Sequence, residues 1–581
     1  MTMTREPPTL FYRGRHALVL GLFLAACATL VWRVVELQVT RHDFLQRQGD
    51  ARYLRDVSIV AHRGKILDRN GEPLAVSTPV DSVWVNPALL ARARPRWGEL
   101  TALLGLDSKR LEAIAAQLGG REFVYLRRRL DPALAARVAA LDIAGVNLQR
   151  EYRRYYPMGE AAAQWVGVTN VDDAGQEGIE LAYQKWLQGV AGTKRVLRDR
   201  LGHAVEDIGL VRAPRAGRNL MLTMDRRIQY LAYRALFQAV RRERARAGTV
   251  VVLDTTNGEV LAIANYPSFN PNNLADRRPE RVRNRAITDV FEPGSTIKPF
   301  TIAAALMSGE YRADTPIDTS PGFIRVGGHT VRDARNYGRI DVATVIKKSS
   351  NVGAARIALS IPPRDLWQTL IHVGFGERTA SGLPGETGGV LDHYFEWGRA
   401  KNATLAYGYG ISVTALQLAH AYAAIANDGL LLPVRVVRSD AAGKATRVMP
   451  ARVARALRRM LEGVVSRGGT GWRGRIAGYR VGGKTGTVKK PVAGGYSENR
   501  YLALFVSMAP LSNPRLVTVV MIDEPSAGRY YGGQVAAPVS VAVMSGALRL
   551  IGAVPDAPDA AIREVALGGG DLALAHAGLG R

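Results

Sequence analysis

The chain has 581 residues, which is too long for one compact core, so we expect two or three folded parts. With 47% hydrophobic and 22% charged residues it has the composition of a globular protein, which excludes a disordered chain and a polytopic membrane protein. The single cysteine, Cys27, excludes an intramolecular disulfide and a thiolate metal cluster. The formal net charge of +27 favours an anionic partner without choosing among nucleic acid, lipid headgroups and an acidic polymer.

An apolar run near the N-terminus indicates export. Ala17–Trp32 contains no charged residue, and basic residues flank it on both sides. We expect residues 17–36 to form one transmembrane anchor, with residues 1–16 on the cytoplasmic side. A cleaved signal peptide and lipidation of Cys27 are the alternatives. Because all three would export the rest of the chain, nucleic acid is excluded as an ordinary partner, and the membrane surface or the cell wall is favoured.

The first exported region, residues 37–215, combines strands and helices and shows no catalytic constellation. Val57–Thr78 alternates short β-like stretches around Asn70-Gly71, which is a strong hairpin signal. Two helical patterns follow, Ser108–Leu118 and Asp131–Leu141, and their first residues are placed as N-caps.

The second region, residues 216–552, follows a linker at Arg212–Arg218 and predicts an α+β fold. Helices lie between the second and third of five predicted strands, which indicates one sheet covered by helices on its faces. The chain ends in a tail rich in Gly and Ala, residues 553–581, which we expect to be flexible. The five strands are predicted over Thr249–Leu253, Val260–Asn265, Val481–Val488, Tyr501–Met508 and Leu516–Ile522, and a C-terminal helix over Val535–Ile551.

A serine and a lysine at spacing three suggest an activated nucleophile. The only S-x-x-K in the chain joins Ser295 to Lys298, and Pro299 places the start of a helix close to the serine. The spacing puts the Lys298 side chain on the helix face of Ser295, within reach of its Oγ. Lysine is a useful base at neutral pH only when burial lowers its pKa. The alternative is a capping serine beside a solvated lysine.

A second serine lies between two helical patterns, in Ser349-Ser350-Asn351. The Ser349 hydroxyl could relay a proton between Lys298 and a leaving amine, while the amide of Asn351 could hold a peptide backbone. An ordinary N-cap is the alternative.

The third element lies inside a β-like run and is the only K-T-G in the chain. Lys484, Thr485 and Thr487 can align an extended peptide along a strand edge and bind its carboxylate. Gly486 allows close approach to that edge. The backbone N–H groups of Ser295 and Thr487 would form an oxyanion hole. A charged edge strand without this role is the alternative.

The three elements occur in the order S-x-x-K, S-x-N, K-T-G, which resembles the penicillin-interacting serine acyltransferases. The first exported region adds a resemblance to the pedestal of class B penicillin-binding proteins, and within class B to the septal transpeptidases of Gram-negative bacteria. The residues that carry this second resemblance are Arg63-Gly64, Asp68-Arg69-Asn70-Gly71, Arg154-Tyr155-Tyr156-Pro157, Glu177-Gly178-Ile179-Glu180, Phe291-Glu292-Pro293-Gly294, Tyr407-Gly408-Tyr409-Gly410 and Tyr530-Tyr531-Gly532-Gly533.

The resemblance implies a penicillin-binding transpeptidase fold, with a mainly antiparallel five-stranded sheet, on a mixed β-rich pedestal of the dimerisation-domain type. It implies a D,D-transpeptidase that is tethered in the bacterial inner membrane, acts in the periplasm on peptidoglycan stem peptides and is inhibited by β-lactams. An FtsW-type glycosyltransferase and other division proteins would be its partners. No metal or cofactor is expected. A D,D-carboxypeptidase, or a division scaffold that penicillin acylates without turnover, are the alternatives.

Overall fold

The structure is a computed structural model that describes residues 10–45, 54–116, 123–198, 204–439 and 443–557. Its first helix, Leu10–Val35, continues as a π-helical turn, Glu36–Thr40. The segment Arg13–Thr40 contains an 18-residue stretch with a mean hydropathy of 2.2 and is long enough to cross a membrane, which fits a single-pass anchor. The tail expected over residues 553–581 lies outside the described residues from residue 558 onward.

The chain divides into two compact units. The first comprises Met1–His62, Pro79–Tyr152 and Val190–Ala216, and the second comprises Arg63–Thr78, Arg153–Gly189 and Gly217–Arg581. Each unit therefore collects segments that are distant in sequence.

The first unit contains an antiparallel three-stranded sheet and a small helical core. The sheet consists of Leu54–Ile59, Gly192–Arg198 and Ala204–Arg212. Asp107 caps the helix Ser108–Ala115 by accepting from Lys109 N, so the prediction of Ser108 as the cap was wrong. Asp131 caps the helix Pro132–Ala140, as predicted. The helices are Pro87–Arg92, Trp97–Leu104, Ser108–Ala115 and Pro132–Ala140, which pack with the strands Val124–Leu130, Val146–Tyr155 and part of Pro73–Val85.

In the second unit, the turn predicted at Asn70-Gly71 joins Ile66–Leu67 to the start of Pro73–Val85. Gly71 has a φ of +86°, the left-handed conformation that such a turn requires. The earlier residues of the predicted hairpin, from Val57, pair with Gly192–Arg198 instead. Strand pairing over a long sequence distance therefore replaced a local pairing that the alternating pattern favoured.

A buried ion triad holds the pedestal-like motifs of the second unit together. The carboxylate of Glu180 accepts from Arg63 Nε at 2.8 Å and from Arg154 Nε at 2.7 Å. All three side chains are at most 1% exposed. Because a buried charge is costly without a partner, removal of Glu180 would leave two buried guanidinium groups without their shared carboxylate.

The central sheet of the second unit has five strands and is entirely antiparallel, which confirms the predicted fold class. Its spatial order is β2-β1-β5-β4-β3, so β3 forms one edge. The strands are β1 (Ala247–Asp254), β2 (Val260–Tyr266), β3 (Gly482–Val492), β4 (Gly495–Ala509) and β5 (Leu516–Asp523).

Helices cover both faces of this sheet because side chains of a strand point alternately to opposite faces. Val250 and Val252 of β1 belong to a cluster with α1 and α7, whereas Val251 and Leu253 belong to the larger cluster that includes α2, α5 and α6. The helices are α1 (Arg226–Arg242), α2 (Lys298–Ser308), α3 (Val342–Lys348), α4 (Asn351–Ser360), α5 (Ala415–Ala426), α6 (Ala451–Val465) and α7 (Ala537–Leu550).

The remaining elements of the two units are shorter. The short helices are Ala163–Val166, Gly178–Ala182, Gln184–Leu187, Pro279–Val282, Arg285–Thr288, Pro363–His372, Arg399–Leu405 and Gly532–Val535, and the 3₁₀ turns are Arg94–Arg96, Gly159–Ala161, Leu274–Asp276, Gly294–Ile297, Tyr394–Glu396 and Trp472–Gly474. The short strand pairs are Ile66–Leu67 with Leu220–Met221, Pro316–Asp318 with Arg339–Asp341, Phe323–Val326 with His329–Arg332, and Leu430–Leu431 with Thr446–Arg447.

Candidate active site

Ser295 lies in a 3₁₀ turn, Gly294–Ile297, that leads directly into α2. Pro299 is in the first turn of α2, where its missing N–H leaves no hydrogen bond unmade. Gly294 has a φ of +52°, and a Cβ there would collide with Val488 of β3. The glycine therefore allows the serine turn to lie directly against the edge strand of the sheet.

The amine of Lys298 is fully buried below Ser295. Its Nζ lies 3.0 Å from Ser295 Oγ, 2.6 Å from the carbonyl oxygen of Ser349 and 2.7 Å from Asn351 Oδ1. The last two partners can only accept, so they take both N–H donors of a neutral amine. The nitrogen lone pair of that neutral amine would then be available to accept from the Ser295 hydroxyl.

Burial lowers the pKa of Lys298 well below its ordinary value, and the nearby amine of Lys484 lowers it further. The carboxylate of Asp333 acts in the opposite direction but is the smallest of the three effects. The geometry and the electrostatics both favour an uncharged Lys298 that can take a proton.

Ser349 occupies the joint between α3 and α4 with a φ of +61°, a conformation that is rare for residues other than glycine. Ser350, the next residue, caps α4 by accepting from Gly353 N at 2.8 Å. Capping therefore belongs to Ser350, and the Ser349 hydroxyl points to the two lysines. Asn351 Nδ2 donates to the carbonyl of Arg332 at 3.0 Å, which turns its Oδ1 toward Lys298.

Lys484 lies on β3 and is also fully buried. Its Nζ donates to Ser349 Oγ at 2.8 Å, and Lys298 Nζ lies 3.2 Å from the same oxygen. Desolvation lowers the pKa of Lys484 to about 7. The Ser349 hydroxyl thus bridges two amines that cannot both carry a charge at low cost.

The rest of the K-T-G strand is held tightly in place. Thr485 Oγ1 lies 2.8 Å from Thr470 Oγ1, and Thr487 Oγ1 accepts from Gly532 N at 3.0 Å. A Cβ on Gly486 would lie 3.1 Å from Thr296 Cγ2, inside ordinary van der Waals contact. A Cβ at this position would therefore require Thr296 or Leu504 to shift by a few tenths of an ångström.

A cleft of about 440 Å³ opens over these groups. Of the eight residues proposed from the sequence, five line it: Ser295, Ser349, Asn351, Thr485 and Thr487. Lys298, Lys484 and Gly486 lie just beneath its surface in direct contact with lining residues. The three sequence elements therefore meet in one place.

Asp333 fixes the S-x-N element and belongs to none of the motifs visible in the sequence. Its carboxylate accepts from the backbone N–H groups of Asn351 and Val352 at 2.5 and 3.0 Å, and from the Ser350 hydroxyl at 2.5 Å. A carboxylate at the start of a helix is favoured by the helix dipole. Thr470, Trp472 and Tyr531 of the cleft lining were also missed. Within the described part of the chain, no group of three or more His, Cys, Asp or Glu side chains could hold a metal ion.

Comparison with known protein families matches both halves of the chain. Residues 248–545 match the family "Penicillin binding protein transpeptidase domain", and residues 58–222 match "Penicillin-binding Protein dimerisation domain". The chain is 42% identical to the peptidoglycan D,D-transpeptidase FtsI of Escherichia coli K12, over 94% of this chain and 93% of that protein. It is 41% identical to the probable peptidoglycan D,D-transpeptidase PbpC of Pseudomonas aeruginosa, over 93% of this chain and 96% of that one.

Solved structures agree with the sequence relatives. Penicillin-binding protein 3 of Mycobacterium tuberculosis, complexed with aztreonam, superimposes with a TM-score of 0.67 at 28% identity, over 86% of this chain and 99% of that chain. The apo transpeptidase domain of penicillin-binding protein 3 from Burkholderia pseudomallei has a TM-score of 0.54 at 41% identity, over 58% and 97% of the two chains. The chain belongs to the class B penicillin-binding proteins.

Proposed function

We propose that this chain is a serine-type peptidoglycan D,D-transpeptidase that cross-links stem peptides of the septal cell wall. The observation that carries the proposal is the Ser295 hydroxyl, which lies 3.0 Å from the buried amine of Lys298 in an open cleft. The names of the full-length relatives, which are peptidoglycan D,D-transpeptidases, support the same substrate.

In the proposed first step, Ser295 Oγ attacks the carbonyl carbon of the penultimate D-Ala, and Lys298 accepts the hydroxyl proton. The negative charge that develops on the carbonyl oxygen is stabilised by the backbone N–H groups of Ser295 and Thr487. Ser295 is the second residue of its 3₁₀ turn, where backbone N–H groups have no partner within the helix. Its N–H is therefore suited to an external acceptor.

Departure of the terminal D-Ala requires a proton on its amine. Lys298 now holds the proton, and Ser349 Oγ lies 3.2 Å from its Nζ, so the Ser349 hydroxyl can relay the proton toward the leaving group. A side-chain amine of a second stem peptide then attacks the acyl-enzyme. It loses a proton by the reverse relay, and Ser295 is released as a hydroxyl.

Substrate recognition is assigned to the edge strand and to Asn351. The terminal carboxylate of the donor would bind the hydroxyls of Thr485 and Thr487 with Lys484 behind them, while Asn351 holds the peptide backbone. A bound carboxylate would supply a counter-charge for Lys484, and the pKa of Lys484 would rise. A β-lactam would present a similar carboxylate and carbonyl, and would stop at the acyl-enzyme.

We also propose the placement of this activity in the cell. Residues 17–36 would anchor the chain in the inner membrane, with the transpeptidase domain (residues 216–552) in the periplasm on a pedestal of residues 37–215. The apolar helix and the match to a dimerisation domain support this arrangement. An FtsW-type glycosyltransferase and other division proteins would be its partners.

The test is product analysis with the purified full-length chain, a donor peptide ending in D-Ala-D-Ala and an acceptor amine. We expect a cross-linked dimer and one released D-Ala per bond formed, and neither with Ser295→Ala. Ser308→Ala removes a hydroxyl from the other end of α2 and should retain activity. Hydrolysed donor without dimer would instead indicate a carboxypeptidase, and acylation by penicillin without turnover of either peptide would indicate a scaffold.

A further inference from the structure

Two cations on the wall of the cleft have no carboxylate partner among the residues that the structure describes. The charged side chains among the lining residues are Asp333, Lys348 and Arg473. The Asp333 carboxylate accepts hydrogen bonds from groups at the start of α4, namely the Ser350 hydroxyl and the backbone N–H groups of Asn351 and Val352. In the described ranges, neither Lys348 nor Arg473 forms a salt bridge; Lys348 Nζ donates to the carbonyl of Gly468 at 2.8 Å. We call this pair the basic rim.

The turn that presents Arg473 is rigidly built. Arg473 is the middle residue of the 3₁₀ turn Trp472–Gly474, and the glycines at 471 and 474 allow that turn to pack on the ring of Phe505 in β4. A Cβ on Gly471 would lie 2.9 Å from the ring, and one on Gly474 would collide with it. Arg475 covers the Trp472 ring with its guanidinium 3.4 Å from the centroid. The turn therefore holds Arg473 at a fixed place on the wall.

The basic rim is also joined to the strand that is proposed to bind the donor. Thr470 Oγ1 lies 2.8 Å from Thr485 Oγ1, and a Cβ on Gly533 would collide with the carbonyl of Thr470. Lys348 reaches the same segment through Gly468. The rim thus lines the same cleft as Thr485, and its chain segment adjoins this member of the groups assigned to the terminal carboxylate.

We propose that the basic rim binds a second carboxylate of the donor stem peptide, one that lies on the amino-terminal side of its D-Ala-D-Ala end. The inference rests on the proposed transpeptidase function. The terminal carboxylate is already assigned to Lys484, Thr485 and Thr487, and all other parts of the donor lie on its amino-terminal side. An unpaired guanidinium in a cleft matches a carboxylate through two parallel hydrogen bonds, with Lys348 as an additional point charge.

Two donor peptides test the proposal. Both end in D-Ala-D-Ala, and the preceding residue carries a side-chain carboxylate in one and the matching carboxamide in the other. With the full-length wild-type chain we expect the carboxylate donor to be preferred about tenfold in kcat/KM, which corresponds to about 1.4 kcal/mol and acts mainly through KM. The preference should shrink at high salt because the rim is open to solvent.

Substitutions of Arg473 distinguish binding of a second carboxylate from a structural role of this arginine. Arg473→Gln should reduce the preference to about one, and Arg473→Lys should keep part of it because the charge remains without the planar fork. Arg467→Gln is the matched control, because this exposed arginine lies in the same chain segment outside the cleft lining and should keep the wild-type preference.

The outcomes are distinct. A wild-type chain that uses both donors equally well overturns the inference and leaves the transpeptidase function intact. A loss in Arg473→Gln that is equal for both donors also overturns it, because the arginine would then serve the fold or the terminal carboxylate. If wild type releases D-Ala from neither donor, the proposed function fails. Protection of Ser295 from a fluorescent penicillin by each peptide then decides the inference, which requires stronger protection by the carboxylate peptide.

Discussion

Replacing Lys484 by Met tests whether the cleft keeps a buried amine at the expense of stability. Burial lowers the pKa of Lys484 from 10.5 to about 7, and this difference corresponds to about 5 kcal/mol. The unfolded chain binds more protons than the folded chain between pH 7 and 10.5, so this cost is complete below pH 7 and disappears as pH rises toward 10.5. Methionine fills a similar volume and carries no charge, so the variant does not have this free-energy cost.

The variant also loses hydrogen bonds. Lys484 Nζ donates to Ser349 Oγ and to the carbonyl of Thr485, and their loss costs about 1–3 kcal/mol. We therefore expect Lys484→Met to be more stable than wild type by about 2–4 kcal/mol at pH 6. The advantage should fall by about 3 kcal/mol between pH 6 and pH 9, because each pH unit above 7 removes about 1.4 kcal/mol.

Urea denaturation of the two full-length proteins at pH 6 and pH 9, followed by tryptophan fluorescence, measures this difference. Titrating groups away from Lys484 cancel in the comparison. The pKa of Lys298 rises in the variant because the neighbouring amine is gone, which adds to the advantage at low pH. Lys347→Met, which removes a half-buried lysine of α3 that does not line the cleft, controls for the loss of one amine. A Lys484→Met advantage that is the same at both pH values, or a variant that is less stable at pH 6, would refute the reasoning.

Two substitutions and a pH series test the chemistry of the cleft through the rate of acylation by penicillin, and a third substitution is tested through its effect on stability. Lys298→Met should slow acylation by about 10²–10⁴-fold, because it removes the base. In wild type the rate should fall as pH is lowered and Lys298 takes up a proton, with an apparent pKa well below 10.5. Gly486→Ala should slow acylation about tenfold, because its Cβ would press on Thr296 and Leu504 at 3.1 Å. Asp333→Asn should lower the free energy of unfolding by about 1–2 kcal/mol in urea denaturation, because the start of α4 loses its counter-charge. Unchanged values in these measurements would contradict the assigned contacts.

The parts of the fold that local pattern controls were predictable from the sequence. The five strands of the central sheet overlap the ranges predicted for them, and Asp131 caps its helix as its position before the helix indicated. The three motifs were also visible, because each is a short run of polar residues at a fixed spacing. Their order along the chain indicated the family, although their spacing alone said nothing about distance in space.

Features that depend on contacts between distant segments were not predictable. Asp333 stands in a loop without a motif, and only the folded chain brings it to the start of α4. Ser349 and Ser350 look equivalent in sequence, and backbone geometry decides that Ser350 is the cap. In the sequence Arg473 is one of many arginines. Only the packing of its turn on Phe505 places it on the cleft wall.

The most direct test of the central claim is the site of covalent attachment of a penicillin. The full-length chain is treated with a fluorescent penicillin, digested and analysed by mass spectrometry. We predict one adduct, on the peptide that contains Ser295, and its loss in Ser295→Ala, with Ser308→Ala labelled like wild type. An adduct that persists in Ser295→Ala, or that maps to another residue, would contradict the assignment of Ser295 as the nucleophile.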